Sequence, residues 1–255
     1  MQTVFNSLFR NHNLCVLNIF RGTIKMIKIN NLTKKYKDKL VLDKVNLQIP
    51  SNKISFFVGK NGSGKTTLID ILAGLNKINH GSIQIDNKDA SIPYSKSLRK
   101  KIFSLTVENI SVEYLTAKEN LLYYSELFKL KLSDRKIKDI LQSYNLFEET
   151  DFSVTFSTGM KKRLDLAILD MIAPEIILLD EPSLGLDVYH VDFLRKQILN
   201  YKKLGKTVIV TSHDMALSEK IADMIYLFSE KKIIAYNAKD VNSEEIVLES
   251  YKDHG

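Results

Sequence analysis

Ile54-Ser55-Phe56-Phe57-Val58-Gly59-Lys60-Asn61-Gly62-Ser63-Gly64-Lys65-Thr66-Thr67 decides the fold of this 255-residue chain. Its first five residues form a short apolar run of the kind that becomes a central parallel strand covered on both faces. A glycine-rich turn follows, and Leu68, Ile71, Leu72 and Leu75 then recur at helical spacing. Strand, glycine loop and helix in that order predict a phosphate cradle rather than a plain strand–helix turn. Glycines let successive backbone N–H groups point inward at phosphate oxygens, and the helix adds its positive N-terminal end. In such a loop Lys65 reaches the β- and γ-phosphates and the Thr66 hydroxyl holds Mg2+. Nucleotide binding is therefore the first expectation.

Two further runs, Ile176 to Leu179 and Val208 to Val210, resemble the strand before the loop. All three stop at chemically loaded residues: Gly59, Asp180-Glu181 and Ser212-His213. Ligands collect at the carboxyl ends of strands in open α/β sheets, so three such ends are expected to converge on one site. From Met26 to about Ser55 the sequence alternates, with Val45, Leu47 and Ile49 on one face and a turn at Pro50-Ser51-Asn52. Ile83 and Ile85 add a short strand, which predicts a small antiparallel sheet beside the nucleotide core.

The central third reads as helical. Thr116 and Glu119 form a capping box before a helix to about Phe128 that carries Leu121, Leu122 and Leu127. Ser133 to Tyr144 and Thr158 to Ile172 read as further helices, the last ended by Pro174. The simplest account is an inserted helical subdomain over about 108–163 within an ATPase-sized domain over 26–237. Residues 1–25 carry three basic residues and no acid, and they are expected to be a disordered arm or an overextended translation start. Residues 238–255 form a C-terminal tail.

A formal net charge of +7 is spread over the whole chain, which fits a solvated lysine-rich surface; no nucleic-acid partner is expected. Cys15 is the only cysteine, which excludes an intrachain disulfide and a paired-cysteine metal site and suits a reducing cytoplasm. No stretch reaches the roughly 20 apolar residues that span a bilayer, so any membrane role must come through a partner.

Phe156-Ser157-Thr158-Gly159-Met160-Lys161-Lys162-Arg163-Leu164 precedes Ile177-Leu178-Leu179-Asp180-Glu181-Pro182, then Leu184-Gly185-Leu186-Asp187 and Thr211-Ser212-His213-Asp214. Together with the phosphate loop, this ordered set resembles the ATP-binding subunits of ATP-binding cassette (ABC) transporters over about Met26 to Asn237. The resemblance implies a P-loop NTPase core of α/β class, with a mostly parallel central sheet, a small antiparallel β-subdomain and an inserted helical subdomain. It implies ATP and Mg2+ as ligands, with Gly59, Lys60, Asn61, Gly62, Ser63, Gly64, Lys65, Thr66 and Thr67 around the phosphates. Tyr36 matches the aromatic that stacks on adenine. Asp180 holds Mg2+ with Thr66, Glu181 polarises the attacking water and His213 contacts the γ-phosphate.

Ser157 and Gly159 carry the segment that, in the family, faces the γ-phosphate held by the opposite subunit, and Asp187 lies in the loop linking the two sites. One chain thus supplies half of each shared site. The implied partners are a second ATPase subunit and integral membrane subunits, with the protein peripheral on the inner face of the cell membrane.

Two departures stand out. The family segment often reads L-S-G-G-Q, whereas Thr158 and Met160 replace its first glycine and its glutamine here. Gly159-Met160-Lys161 looks like the ATPases of bacterial exporters of drugs, peptides or bacteriocins. Val107 stands where a Mg2+-contacting glutamine is usual; valine cannot ligate a metal, and Glu108 is the nearest substitute. A soluble ABC ATPase acting on ribosomes or DNA, and a weakly hydrolysing regulatory cassette, are the alternatives.

Overall fold

A computed structural model describes residues 26–147, 150–212, 215–229, 231–241 and Ile246 of the chain. The expected N-terminal arm, most of the expected tail and His213 lie outside the described residues.

Among the described residues, ten strands form two sheets. β1 (Met26–Tyr36), β2 (Lys39–Pro50), β4 (His80–Ile85) and β5 (Lys88–Asp89) make an antiparallel sheet in the order β2-β1-β4-β5. β3 (Ile54–Gly59), β6 (Ile102–Leu105), β7 (Ile176–Asp180), β8 (Thr207–Ser212), β9 (Met224–Ser229) and β10 (Lys232–Asn237) make the central sheet, in the order β10-β9-β3-β8-β7-β6. Every pairing in the central sheet is parallel except the β9–β10 hairpin. This is the α/β architecture expected from the sequence.

The unbroken apolar runs are explained by burial on both sides. All residues of β7 and β8 are buried. Successive side chains of a strand point to opposite faces, and the core divides accordingly. Phe56, Val58, Ile177, Leu179, Val208 and Val210 pack into one cluster with the helices of the central third. Phe57, Leu178, Ile209, Tyr226 and Phe228 pack into a second cluster with the antiparallel sheet and the helix after the loop. The Tyr226 hydroxyl, buried among these, donates to the Gln48 carbonyl at 2.7 Å and ties the two sheets together.

The helices are α1 (Lys65–Leu72), α2 (Lys96–Arg99), α3 (Ala117–Leu127), α4 (Asp134–Ser143), α5 (Thr158–Ile172), α6 (Val188–Lys203) and α7 (Met215–Ile221). Capping side chains set the starts of α2 to α6. Thr116 Oγ1 accepts from the Glu119 N–H at 3.2 Å while the Glu119 carboxylate accepts from the Thr116 N–H at 2.9 Å, the reciprocal box read in the sequence. Ser133, Ser157 and Asp187 cap α4, α5 and α6 by a single bond each, accepting from the N–H three residues on.

Some expectations fail locally. Leu75 keeps helical spacing with Leu68 but lies beyond α1, which ends at Leu72 before Gly74 turns the chain; Leu75 is 67% exposed. Leu121 is buried in α3, whereas Leu122 and Leu127 face outward. The sequence reading missed β5, β6, β9, β10, α2 and α7. The run Met224-Ile225-Tyr226-Leu227-Phe228 carried the signal for β9.

Candidate functional site

β3 ends at Gly59 and α1 begins at Lys65, so the residues between must reverse direction in five positions. Gly64, the residue before α1, has φ 106°, and a Cβ there would lie 2.9 Å from Leu42 Cδ2. Only glycine fits this left-handed position against β2. Lys65 is buried, and its ammonium donates to the carbonyls of Gly59 at 2.7 Å and Lys60 at 3.0 Å. Burial pulls its pKa below the ordinary lysine value, and the Glu181 and Asp180 carboxylates oppose that. Ser63 Oγ is buried inside the loop with no hydrogen-bond partner among the described residues. A buried orphan hydroxyl beside a helix N-terminus fits a phosphate-binding cradle.

The second corner is built by β-sheet register. Asp180, the last residue of β7, pairs with Thr211 of β8. Asp180 is 2% exposed, and its Oδ1 accepts from Thr66 Oγ1 at 3.2 Å and from Thr211 Oγ1. Thr211 Oγ1 in turn accepts from the Glu181 N–H at 2.8 Å. Glu181 has φ 46°, a left-handed conformation that costs a non-glycine residue on the order of 1–3 kcal/mol and clusters at working sites. Thr66 and Asp180 thus present a hydroxyl and a carboxylate oxygen side by side. Hard oxygens of this kind fit Mg2+, which takes one or two carboxylates and completes its shell with phosphate and water.

Tyr36 closes β1 and is 42% exposed. Asn76 Nδ2 donates to its hydroxyl at 3.0 Å, and the Lys34 ammonium lies 4.4 Å from its ring centroid. Val107 and Glu108 are exposed in the loop after β6, where Thr106 Oγ1 donates to the Glu108 carbonyl at 3.2 Å. The Glu108 carboxylate makes no hydrogen bond among the described residues. Ser157 Oγ accepts from the Met160 N–H at 3.3 Å at the start of α5, and Asp187 accepts from the His190 N–H at 2.9 Å at the start of α6.

The structure therefore brings Lys65, Thr66, Asp180 and Glu181 to one corner of the central sheet. Ser157, Gly159 and Asp187 lie together at a second place, the paired N-termini of α5 and α6. Sequence reasoning gave Thr211 and Asn76 no role. Thr211 could have been found from its place in the β8 run, one strand over from Asp180.

Comparison with known proteins bears on the family and the fold. A family model described as ABC transporter matches residues 42–184. The lantibiotic transport ATP-binding protein SrtF of Streptococcus pyogenes is 34% identical over 224 residues, covering 87% of this chain and 95% of SrtF. The ADP conformation of the ATP-binding cassette MJ1267 superposes with a TM-score of 0.76 at 24% identity, over 89% of this chain and 98% of the other. A dimeric, post-hydrolysis form of the cassette MJ0796 bound to ADP and Pi superposes with a TM-score of 0.74 at 26% identity, over 84% and 99%.

Proposed function

The chain belongs to the ABC transporter family, and we infer that it is the ATP-hydrolysing subunit of an exporter of bacteriocin-like peptides, acting through membrane-spanning partner chains. Its membership makes it an ATP-binding, ATP-hydrolysing transporter subunit. The peptide cargo is inferred from SrtF, whose length this chain nearly spans. The membrane partners are inferred from the same relative, and among the described residues no helix is long and apolar enough to cross a membrane. The protein then works at the cytoplasmic face of the membrane, held there by its partners.

The observation that carries the catalytic assignment is the corner where Thr66, Asp180 and Glu181 meet. The loop from Gly59 to Thr67 holds the phosphates through backbone N–H groups, with Lys65 turning its ammonium from the Gly59 and Lys60 carbonyls toward the β- and γ-phosphates. Thr66 and Asp180 hold Mg2+, which when bound neutralises phosphate charge. Glu181 orients and polarises the attacking water, a general-base role worth typically about 10²–10⁴ in rate. His213 is assigned to the γ-phosphate and Tyr36 to the adenine, whose stacking face the Asn76 hydrogen bond orients. Glu108 is assigned a Mg2+ contact in place of the glutamine that Val107 replaces.

Two copies, or one copy and a similar ATPase, close head to tail so that Ser157 and Gly159 of one meet the γ-phosphate on the other. The dimeric MJ0796 structure supports this arrangement. The test is Glu181→Gln in the full-length chain. ATP should drive it into a stable dimer while steady-state turnover falls at least about 100-fold. A variant that stays monomeric in saturating ATP, or hydrolyses at the parent rate, overturns the reading.

A further inference from the structure

The chain's contribution to its partner's ATP site lies where α5 and α6 begin side by side. Asp187 caps α6, and its Oδ1 is shared: it accepts from the His190 backbone N–H at 2.9 Å and lies 2.8 Å from His190 Nδ1. A carboxylate only accepts, so Nδ1 carries the proton and the ring is fixed in orientation. The opposite edge of the ring lies against Gly159. A Cβ built on Gly159 would sit 2.3 Å from His190 Nε2 and 2.5 Å from both Cδ2 and Cε1. A side chain at 159 would have to displace the His190 ring from this position, so the glycine at 159 has a reason inside its own chain. The His190 side chain is 20% exposed. Its neighbours Val188 and Tyr189 are 87% and 65% exposed, and Leu184 is 51% exposed. Exposed apolar side chains therefore flank the mostly buried His190 ring.

We propose that His190 is a positioning residue for the shared ATP site, its imidazole locking the Asp187 turn to the Ser157–Gly159 start of α5. This rests on the two-subunit reading above. Separately, Ser157 and Asp187 sit on two helix ends that each need ordering when the dimer closes. Bridged by His190, they meet the second subunit as one preset surface, and the ordering cost of closure falls. His190 lies between Asp187 and Gly159 and acts through the two segments it joins.

The test compares Glu181→Gln with Glu181→Gln/His190→Ala in the full-length chain, reading dimer formation against ATP concentration by light scattering, and ADP binding by calorimetry. His190→Ala should raise the ATP needed for half-maximal dimer about tenfold and leave ADP affinity within about twofold, because ADP binds the chain's own phosphate loop. His190→Asn, whose Nδ2 replaces Nδ1 in the bond to Asp187 but whose shorter side chain does not reach Gly159, should recover only part of the loss. Unchanged dimerisation in the alanine variant overturns the proposal. So does an equal loss of ADP binding, which would mark a general packing defect. Failure of Glu181→Gln itself to dimerise instead overturns the two-subunit reading, and the inference falls with it.

Discussion

Thr66 Oγ1 donates to Asp180 Oδ1 at 3.2 Å across 114 positions of sequence. The bond joins the first turn of α1 to the end of β7, two elements brought together because β8 lies between β3 and β7 in the sheet. Asp180 is buried, and its second donor, Thr211, sits directly opposite it in the ladder. The carboxylate is thus aimed by two hydroxyls before any ligand arrives.

Thr66→Val keeps the side-chain volume and removes the hydroxyl. Turnover should fall about 100-fold and the Mg2+ needed for half-maximal rate should rise about tenfold, while ADP binding without metal stays within a few-fold. A Mg2+ titration of steady-state ATPase rate checks this. A parent-like titration curve removes Thr66 from the metal site.

Val107 is 50% exposed beside Glu108, so a longer polar side chain fits without repacking. Val107→Gln should raise turnover several-fold by supplying an amide oxygen where valine offers none. Glu108→Ala in the parent should lower turnover and raise the Mg2+ needed for half-maximal rate. If it leaves both rate and Mg2+ dependence untouched, Glu108 has no share in the metal site.

Asp165 is buried in α5 beside Lys162, and its Oδ1 accepts from the Ser111 N–H at 3.1 Å. Burial pushes its pKa up to about 6, against the opposing pull of Lys162 and the Ser111 hydrogen bond. A carboxyl raised above its unfolded value favours the fold while protonated. Its stabilising share is present below about pH 4 and is lost as pH rises through 6. The difference is on the order of 3 kcal/mol. Asp165→Asn keeps an acceptor for Ser111 and should gain on the parent in urea midpoint between pH 4 and 6. A constant offset across that range would falsify the assignment.

Thr116→Ala removes one half of the capping box at α3 and should cost about 1 kcal/mol. In a chain of this size that lowers Tm by roughly 2–4 °C. Thermal unfolding followed by circular dichroism reads it directly, and an unchanged Tm would show that α3 is held by packing alone.

Much of the fold was legible because the strongest signals are local. The run from Ile54 to Val58 announces a doubly covered strand, and Thr116, Ser133, Ser157 and Asp187 each fix a helix start from their own side chains. β6 was hidden because Ile102 to Leu105 is four residues long and owes its strand geometry to pairing with β7. Leu75 misled because helical spacing continues through Gly74 while the backbone does not. In the site, Lys65, Asp180 and Glu181 stood out by residue type. Thr211 and His190 did not, since a threonine in a strand and a histidine in a helix are ordinary until register and packing set them against Asp180 and Gly159.

The neighbours of β3 in the central sheet are β8 and β9, which begin at Thr207 and Met224. A ribosome making this chain therefore delivers the phosphate-loop strand long before anything it can pair with. β1, β2 and β4 find one another early, but Ile54 to Val58 stay without ladder partners until β8 and β9 have emerged. Nascent chains stalled before β8 should bind no nucleotide and should expose this apolar run to chaperones. Acquisition of ATP affinity is in effect a report that β8 and β9 have been made.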